Sequence, residues 1–413
     1  MNPFVKELTR RKFLATSAMT AGALNILGVR TTWPSDAVDA RVAQLVASTV
    51  GIDTHNHIDV PMTPAELPGP DLDLKGEFKR SGLSAICMTF ATDYQPGDPY
   101  ERFHTAMGAM DRQLKRNEMK RALTPADVVA AHEAGQPTVI QAIEGAHFLE
   151  GHLERVEEAY GRGLRHFGLL HDSDASVPLG DVYTNKPQFG GLTAFGSSVI
   201  RECNRLGMVV DLAHADLETT RMALKVSTRP VLVSHTGLDT QLGSDARMAQ
   251  MMRPRLISKE QARMVADGGG AVGVWTHLAD TPLDYAKNIR ALADVIGVEH
   301  VCLGTDTKLT QPSPRHFGPP PGDGKPAGHG PDGGPPPRGM GPIGGPPREA
   351  RGDSGGPQRA RAGERTNQAW SSDAPGFYYV VVDAMLKAGF TAEEIGKIGG
   401  GNYLRIFGEA TKR

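Results

Sequence analysis

Cysteine is scarce in this chain of 413 residues: there are three, an odd number, and none lies in a C-x-x-C spacing. Cys87, Cys203 and Cys302 fall in apolar or helical stretches, which is typical of small buried side chains and argues against disulfides or thiolate zinc sites. An excess of charge is also lacking, since 45 basic and 47 acidic side chains give a formal net charge of −2. Because nucleic-acid binding requires a basic surface, we expect no nucleic-acid partner.

The apolar stretch near the N-terminus, residues 15–28, is too short and too rich in Ala and Gly for a membrane span of about 20 residues. It follows Arg10-Arg11 and precedes a small-residue sequence at 38–40, a combination that resembles a twin-arginine export signal. We therefore expect residues 1–40 to be a twin-arginine signal peptide, the export machinery to be a partner, and the mature protein to be periplasmic or secreted. An amphipathic N-terminal helix is the alternative.

Histidines and acidic residues recur at the ends of short apolar runs. His55 and His57 end the run that begins at Gly51. Side chains at i and i+2 of a strand project from the same face, so both histidines can reach one cation. Four later runs each end in one further candidate, namely Glu144, His214, His235 and Asp306. Six ligands suit two metal ions better than one, so the pattern predicts a dinuclear centre.

A single histidine after an apolar run is more often a hydrogen-bonded core or turn residue than a metal ligand. The remaining histidines that illustrate this lie in polar, helical or loop-like sequence: His104, His132, His152, His166, His277, His300, His316 and His329. The six candidates differ from them because every one lies where a strand is predicted to end. That coincidence favours a metal site.

Eight short apolar runs alternate with amphipathic helical patterns between residues 45 and 306. The predicted strands are 49–55, 83–90, 138–144, 164–171, 207–214, 230–235, 270–276 and 300–306, and the helical patterns include 153–161, 194–206, 217–226, 258–266 and 285–296. Such alternation predicts a (β/α)₈ TIM barrel. Active sites in this fold form at the carboxyl ends of the strands, so ligands after strands 1, 3, 5, 6 and 8 can share one pocket.

The composition changes abruptly after residue 310. Residues 311–364 hold 14 of the 30 prolines and 15 of the 49 glycines, with few large apolar side chains. This predicts a disordered Pro/Gly-rich insertion at 311–365 between a catalytic barrel at 41–310 and C-terminal helices at 366–413 that complete the barrel domain. A lid at the rim of the active site is the alternative role for the insertion.

Several stretches match a known set of motifs in order and spacing: 142–147, 169–171, 191–196, 204–214, 230–235, 253–256, 304–306 and 399–407. In these stretches the chain resembles the membrane (renal) dipeptidase family, a branch of the metal-dependent amidohydrolases, which implies a TIM barrel of the metal-dependent hydrolase type. The resemblance implies two zinc ions, or other divalent transition metals, bridged by Glu144. His55 and His57 would complete the first metal site, and His214 and His235 the second.

The same resemblance assigns residues of catalysis and substrate binding. Asp306 would lie beside the attacking water as proton acceptor, and Glu144 would hold both metals. His171 would hold the scissile carbonyl and stabilise its oxyanion, and Arg255 would bind the terminal carboxylate. The alternatives are a role as metal ligand only for Asp306, an orienting role for His171 and a surface charge for Arg255.

The chain departs from the family pattern at His57, because the family has His-x-Asp where this sequence has His-x-His. Replacing a carboxylate by neutral imidazole raises the net charge of the first site, which should lower the pKa of the bridging water and weaken affinity for hard cations. Asp59 cannot substitute, because i and i+4 on a strand lie about 13 Å apart. Strand 2 and the region around Lys308, where the substrate would be recognised, also lack the family's usual residues. The resemblance therefore supports hydrolysis more strongly than it supports specificity for dipeptides.

The expected function is therefore that of an exported dinuclear metal-dependent dipeptidase acting on a small dipeptide-like substrate. A related hydrolase of another small amide, a lactone or a phosphoester is the first alternative. A metal-dependent binding protein without catalysis is the second. A homodimer is compatible with the sequence.

Overall fold

The structure is a computed structural model that describes residues 38–93, 97–311, 365–370 and 375–412. The predicted export signal up to residue 37 and the predicted insertion at 312–364, with its two histidines, lie outside the described residues. Within the described ranges, no helix combines the length and apolarity needed to cross a membrane.

In the described part of the chain, eight parallel strands form a closed ring. The strands are β1 (Ile52–His57), β2 (Ala85–Thr89), β3 (Thr138–Ile143), β4 (Leu164–Gly168), β5 (Val209–Asp211), β6 (Leu232–Thr236), β7 (Ala271–Val274) and β8 (Val301–Leu303). Each strand pairs with the next, and β1 pairs with both β2 and β8. A short strand, β9 (Thr307–Lys308), pairs with β1 beyond β8. The (β/α)₈ barrel is confirmed, and all eight predicted strands overlap an observed one.

Helices follow the strands and form the outer layer of the barrel. They are α1 (Ala40–Ser48), α2 (Leu74–Ser81), α3 (Pro99–Arg116), α4 (Pro125–Glu133), α5 (Glu154–Gly161), α6 (Ala194–Leu206), α7 (Leu217–Val226), α8 (Ala246–Met252), α9 (Lys259–Asp267), α10 (Pro282–Ile296), α11 (Phe377–Lys387), α12 (Ala392–Gly396) and α13 (Asn402–Thr411). Short 3₁₀ turns lie at Pro64–Glu66, His147–Leu149, Arg253–Arg255, Val298–His300 and Thr366–Gln368, and a π-helical turn at Lys397–Gly401.

Local sequence explains where these elements begin and end. The side chain of Thr193 accepts a hydrogen bond from the Gly196 amide at the start of α6, and Gly207 with φ of 86° ends that helix. Helices α6 and α7 have the bounds that their amphipathic patterns predict. The residues of β2 to β8 are all buried, as expected for strands covered by helices on one side and by the barrel interior on the other.

The amino-terminal end of the barrel is closed by α13. Tyr403 packs in one buried cluster with Ile52 and Ala85, the first residues of β1 and β2. The π-helical turn before α13 comes so close to the barrel that a Cβ on Gly400 would lie 2.3 Å from the carbonyl oxygen of Val50. The three cysteines are free and buried, as predicted. The carboxyl ends of the strands form the opposite end of the barrel.

Small residues bring four strands close together beneath that opposite end. The hydroxyl of Thr54 donates to the carbonyl oxygens of Ser234 at 2.6 Å and Leu303 at 2.9 Å. A Cβ on Gly273 or on Gly304 would lie 1.9 Å from the same Ser234 oxygen, so a larger residue cannot fit at either position without a shift. This packing holds β1, β6, β7 and β8 at short range and sets the spacing of the side chains that they carry.

Candidate metal centre

Glu144 follows β3 directly and lies at the centre of a cluster of imidazoles. Its Oε1 lies 2.9 Å from Nε2 of His214, 3.4 Å from Nε2 of His55 and 3.6 Å from Nε2 of His235. Its Oε2 lies 3.8 Å from Nε2 of His57. A single buried carboxylate therefore faces histidines from β1, β6 and the loop after β5.

Three overlapping groups in the described residues place their donor atoms within 4.8 Å of one another. They are His55 with His57 and Glu144, Glu144 with His214 and His235, and His55 with His235 and Asp306. Imidazole nitrogen and carboxylate oxygen are ligands typical of zinc and of related divalent transition metals. The structure thus brings together all six predicted ligand residues, and their chemistry fits the divalent transition metals that the family resemblance implies.

His55 and His57 approach each other as their i, i+2 spacing on a strand predicts. Their Nε2 atoms lie 3.1 Å apart, and the ring of His55 lies 3.9 Å from that of His235 between centroids. Asp59 does not join them, because its carboxylate forms an ion pair with Lys308 at 2.8 Å. This geometry agrees with the prediction that Asp59 is not a metal ligand.

Two of the ligand residues have a left-handed backbone, which is uncommon outside glycine. His214 has φ of 69° and Asp306 has φ of 55°, and both lie in loops three residues beyond the ends of β5 and β8. Such conformations cost on the order of 1–3 kcal/mol each and are concentrated at functional sites. Here they accompany side chains that face the barrel mouth.

The two acidic residues of the cluster are held in the charged form. Burial works against ionisation of Glu144, but the neighbouring charge of His171 helps to hold the pKa of its carboxyl well below the usual range. Burial likewise opposes ionisation of Asp306, but the electrostatic interaction with the nearby His235 and hydrogen bonds with His277 and His57 hold the pKa of that carboxyl well below its usual range. Both groups are therefore carboxylates at neutral pH and can bind a cation.

The buried imidazoles differ in their affinity for protons. Burial lowers the pKa of His55 well below its usual value and lowers the pKa of His235 as well, so both are neutral at pH 7. Burial also works against protonation of His214, but hydrogen bonds to Asp172 and Glu144 raise its pKa to about 10. A metal ion bound at His214 must displace this proton, which links metal binding to pH.

His171 lies at the edge of the cluster and is held by a residue that the sequence pattern does not single out. Its Nδ1 lies 2.8 Å from both carboxylate oxygens of Asp93, and its Nε2 lies 3.4 Å from Oε2 of Glu144. The hydroxyl of Ser173 donates to Asp93 at 2.7 Å. Asp93 follows β2 by four residues, and a carboxylate after a buried strand is the signal that identifies it in retrospect.

Arg255 is brought to the site through contacts at both ends of the residue. The hydroxyl of Thr236 donates to its backbone carbonyl at 2.8 Å, and its guanidinium Nη2 donates to the carboxylate of Asp172. The other oxygen of Asp172 lies 3.0 Å from Nδ1 of His214. Asp172 was absent from the predicted site, although it directly follows His171 in the sequence.

His277 also belongs to the site, although the sequence pattern groups it with the scattered histidines. Its Nε2 lies 2.9 Å from Oδ2 of Asp306. It lies three residues beyond β7, the same distance at which His214 and Asp306 follow their own strands. Tyr183, in a loop without periodic pattern, places its hydroxyl 2.9 Å from Nδ1 of His214.

Two buried aspartates beneath the cluster hold the loops in place. Oδ1 of Asp211 accepts hydrogen bonds from the amides of Ala213 at 3.0 Å and Ser234 at 2.9 Å. Oδ1 of Asp53 accepts from the amide of Thr305 at 2.9 Å, and burial raises the pKa of this carboxyl to about 6. These groups act as hydrogen-bonding residues that position the backbone around the ligands.

A barrel of eight parallel strands with imidazoles and carboxylates gathered at their carboxyl ends defines the class of metal-dependent barrel hydrolases. Residues 40–315 match the model of the membrane dipeptidase family, peptidase family M19. The chain belongs to this family, which confirms the resemblance seen in its motifs.

Individual relatives extend the comparison. The chain is 27% identical over 233 residues to dipeptidase aclJ of Aspergillus oryzae, a match that covers 51% of this chain and 52% of the relative. It thus spans about half the length of the curated relatives it matches. Its fold is similar to that of a solved amidohydrolase from Pseudomonas aeruginosa, with a TM-score of 0.64, 20% identity and coverage of 89% of this chain and 98% of the other.

A second solved structure, a metallo peptidase from Rhodobacter sphaeroides, is liganded with a phosphinate mimic of the dipeptide L-Ala-D-Ala. Its TM-score to this chain is 0.58 at 16% identity, with coverage of 88% of this chain and 99% of the other. At 20% and 16% sequence identity, these two structural similarities show that the proteins share a fold.

Proposed function

We propose that this chain is a dinuclear metal-dependent dipeptidase that hydrolyses the peptide bond of dipeptide-like substrates with two zinc or other divalent transition-metal ions. The observation that carries the proposal is the position of Glu144, which belongs both to a ligand group with His55 and His57 and to a second group with His214 and His235. Membership of the membrane dipeptidase family supports the reaction class. The dipeptide mimic bound by the Rhodobacter sphaeroides structure supports the substrate class.

When bound, such ions supply a water of lowered pKa and an electrophile for the substrate carbonyl. The residues of the chain supply the remaining steps. Asp306 is a carboxylate at neutral pH, so it can accept a proton from the attacking water. It can then return that proton to the leaving amine, which is a very poor leaving group as an anion.

His171 and Arg255 orient the substrate in this proposal. Asp93 fixes Nδ1 of His171, which directs Nε2 towards the cluster, where an N–H at Nε2 would donate to the carbonyl oxygen as negative charge develops on it. Arg255 lies at the rim of the same cluster through Asp172 and offers a guanidinium to the substrate's carboxylate.

The test is a substrate panel combined with metal analysis on the same sample. Zinc-loaded protein is tested with L,L-, L,D- and D,D-dipeptides, small lactones and phosphoesters. Glu144→Gln, which removes the central carboxylate, is the control. Turnover of a dipeptide by wild type, and its loss in the variant, are expected. Turnover of only lactones or phosphoesters would replace the dipeptidase by a related hydrolase, and binding without any turnover would point to a binding protein.

We also propose that the protein is exported folded through the twin-arginine route, on the strength of Arg10-Arg11 and the apolar stretch at 15–28. Replacement of both arginines by lysine keeps the charge but removes the pair. Cell fractionation should then find the wild type in the periplasm or medium and the double variant in the cytoplasm. Equal distribution of the two proteins would exclude this route.

A further inference from the structure

The carboxylate of Asp172 joins Arg255 to a ligand residue of the metal cluster. One oxygen accepts a hydrogen bond from Nη2 of Arg255, and the other lies 3.0 Å from Nδ1 of His214. Nη1 of Arg255 also donates to the carbonyl oxygen of Met251 at 3.4 Å. The side chains of Asp172 and Arg255 remain 26% and 29% exposed, so the ion pair can be reached by a small molecule.

This contact bears on how Arg255 can bind a substrate. A guanidinium binds a carboxylate best through two parallel N–H groups, and Nη2 takes part in both of the pairs that it can offer. Each of the two Nη2 hydrogens belongs to one of these pairs, so the bond to Asp172 engages one pair and leaves a single pair for a second carboxylate. Because His214 holds Asp172 from the other side, an incoming carboxylate would also meet a fixed negative charge at short range, and like charges so close disfavour binding.

We propose that Asp172 is a specificity-determining residue that competes with a substrate's free carboxylate for Arg255. It thereby shifts selection towards dipeptide-like substrates whose C-terminal group is neutral, such as amides or esters. This inference rests on the proposed function, because it takes Arg255 as the contact for the C-terminal end of the substrate. It goes beyond that function by assigning the choice between charged and neutral C-termini to one side chain.

Two probes that are not hydrolysed separate this role from catalysis. The metal-loaded full chain is titrated calorimetrically with a phosphinate mimic of L-Ala-D-Ala that has a free carboxylate, and with the C-terminal carboxamide of the same compound. Asp172→Asn keeps an oxygen acceptor for His214 but removes the negative charge. The Kd of the free-carboxylate probe should fall about tenfold, equivalent to about 1.4 kcal/mol, while the Kd of the carboxamide stays unchanged.

Three further variants make the test specific. Asp172→Ser removes the same charge with a smaller side chain and should give the same shift if the asparagine variant folds poorly. Tyr183→Phe removes the hydroxyl 2.9 Å from the same His214 nitrogen but keeps Asp172, so the ratio of the two Kd values should match wild type. In an Arg255→Gln background, Asp172→Asn should change that ratio less than it does when Arg255 is present, because only the repulsion between the two carboxylates remains.

Unchanged affinity of Asp172→Asn for the free-carboxylate probe would overturn the inference. Equal tightening of both probes, or a shift of the same size in the Arg255→Gln background, would overturn it too. Failure of Asp172→Asn to bind the free-carboxylate probe at all would overturn it as well. The proposed function fails by a different result, namely the absence of turnover of every dipeptide and dipeptide amide by zinc-loaded wild type.

Discussion

Nε2 of His277 lies 2.9 Å from Oδ2 of Asp306, so the carboxylate proposed to move protons is held by a histidine from the neighbouring loop. Removal of such a supporting partner typically costs 10- to 100-fold in metal affinity or activity. We predict that His277→Ala lowers kcat for a dipeptide by about that factor while zinc content stays the same. His104→Ala, which removes a partly exposed histidine paired with Glu158, is the matched control. Loss of bound zinc in His277→Ala would mean that the histidine supports the metal site as a whole.

Glu144→Gln should remove the negative charge shared by the two proposed metal sites. We expect both ions to bind more weakly and dipeptide turnover to fall by at least about 100-fold, because the amide lacks the charge of a bridging carboxylate. Elemental analysis after gel filtration and initial rates at saturating substrate measure the two effects. Near-normal turnover with two ions retained would exclude the bridging role.

Arg255→Lys keeps the positive charge but loses the parallel donors of the guanidinium. We predict a rise in KM for a dipeptide equivalent to roughly 1.5–3 kcal/mol, the usual range for charged hydrogen bonds, with a smaller change for its C-terminal amide. The comparison of acid and amide on both proteins provides the control. Identical KM values for wild type and variant on both substrates would deny Arg255 a role in binding the carboxylate.

His57→Asp converts one imidazole of the cluster to a carboxylate. Carboxylate oxygen favours harder cations than imidazole nitrogen does, so the variant should bind manganese more tightly relative to zinc than wild type does. Competition between the two metals, read by elemental analysis, measures the ratio. The same substitution at His132, which lies outside the cluster and bonds to Ser84, should leave that ratio unchanged. A ratio unaffected by His57→Asp would place His57 outside the metal coordination.

The raised pKa of His214 predicts how the metal-free protein responds to pH. Hydrogen bonds to Asp172 and Glu144 outweigh the effect of burial and raise this pKa from 6.5 to about 10. The folded state therefore binds a proton that the unfolded chain releases above pH 6.5, so its stabilising contribution is complete below that pH and is lost as pH rises towards 10. Thermal unfolding of chelated protein between pH 6 and 10 should show falling stability, whereas zinc-loaded protein, from which that proton is displaced, should not show this loss. A flat profile without metal would contradict the assignment.

Much of the barrel could be predicted because its strands are covered on both faces and therefore form short, continuous apolar runs. The i, i+2 spacing of His55 and His57, and the position of Glu144 directly after a strand, could be read from the same runs. Asp93, Asp172 and His277 could not, because they lie in loops whose path follows no periodic pattern. Their partners become evident only once the closed barrel brings the loops after β2, β4, β5, β7 and β8 to the same end.

The most direct test of a dinuclear dipeptidase is a titration of zinc into the metal-free protein with dipeptide hydrolysis as the readout. Two sites that share Glu144 predict that the rate rises until about two zinc ions are bound per chain and then stays constant. A rate that is already maximal at one ion per chain, or no hydrolysis at any zinc concentration, would contradict the proposal.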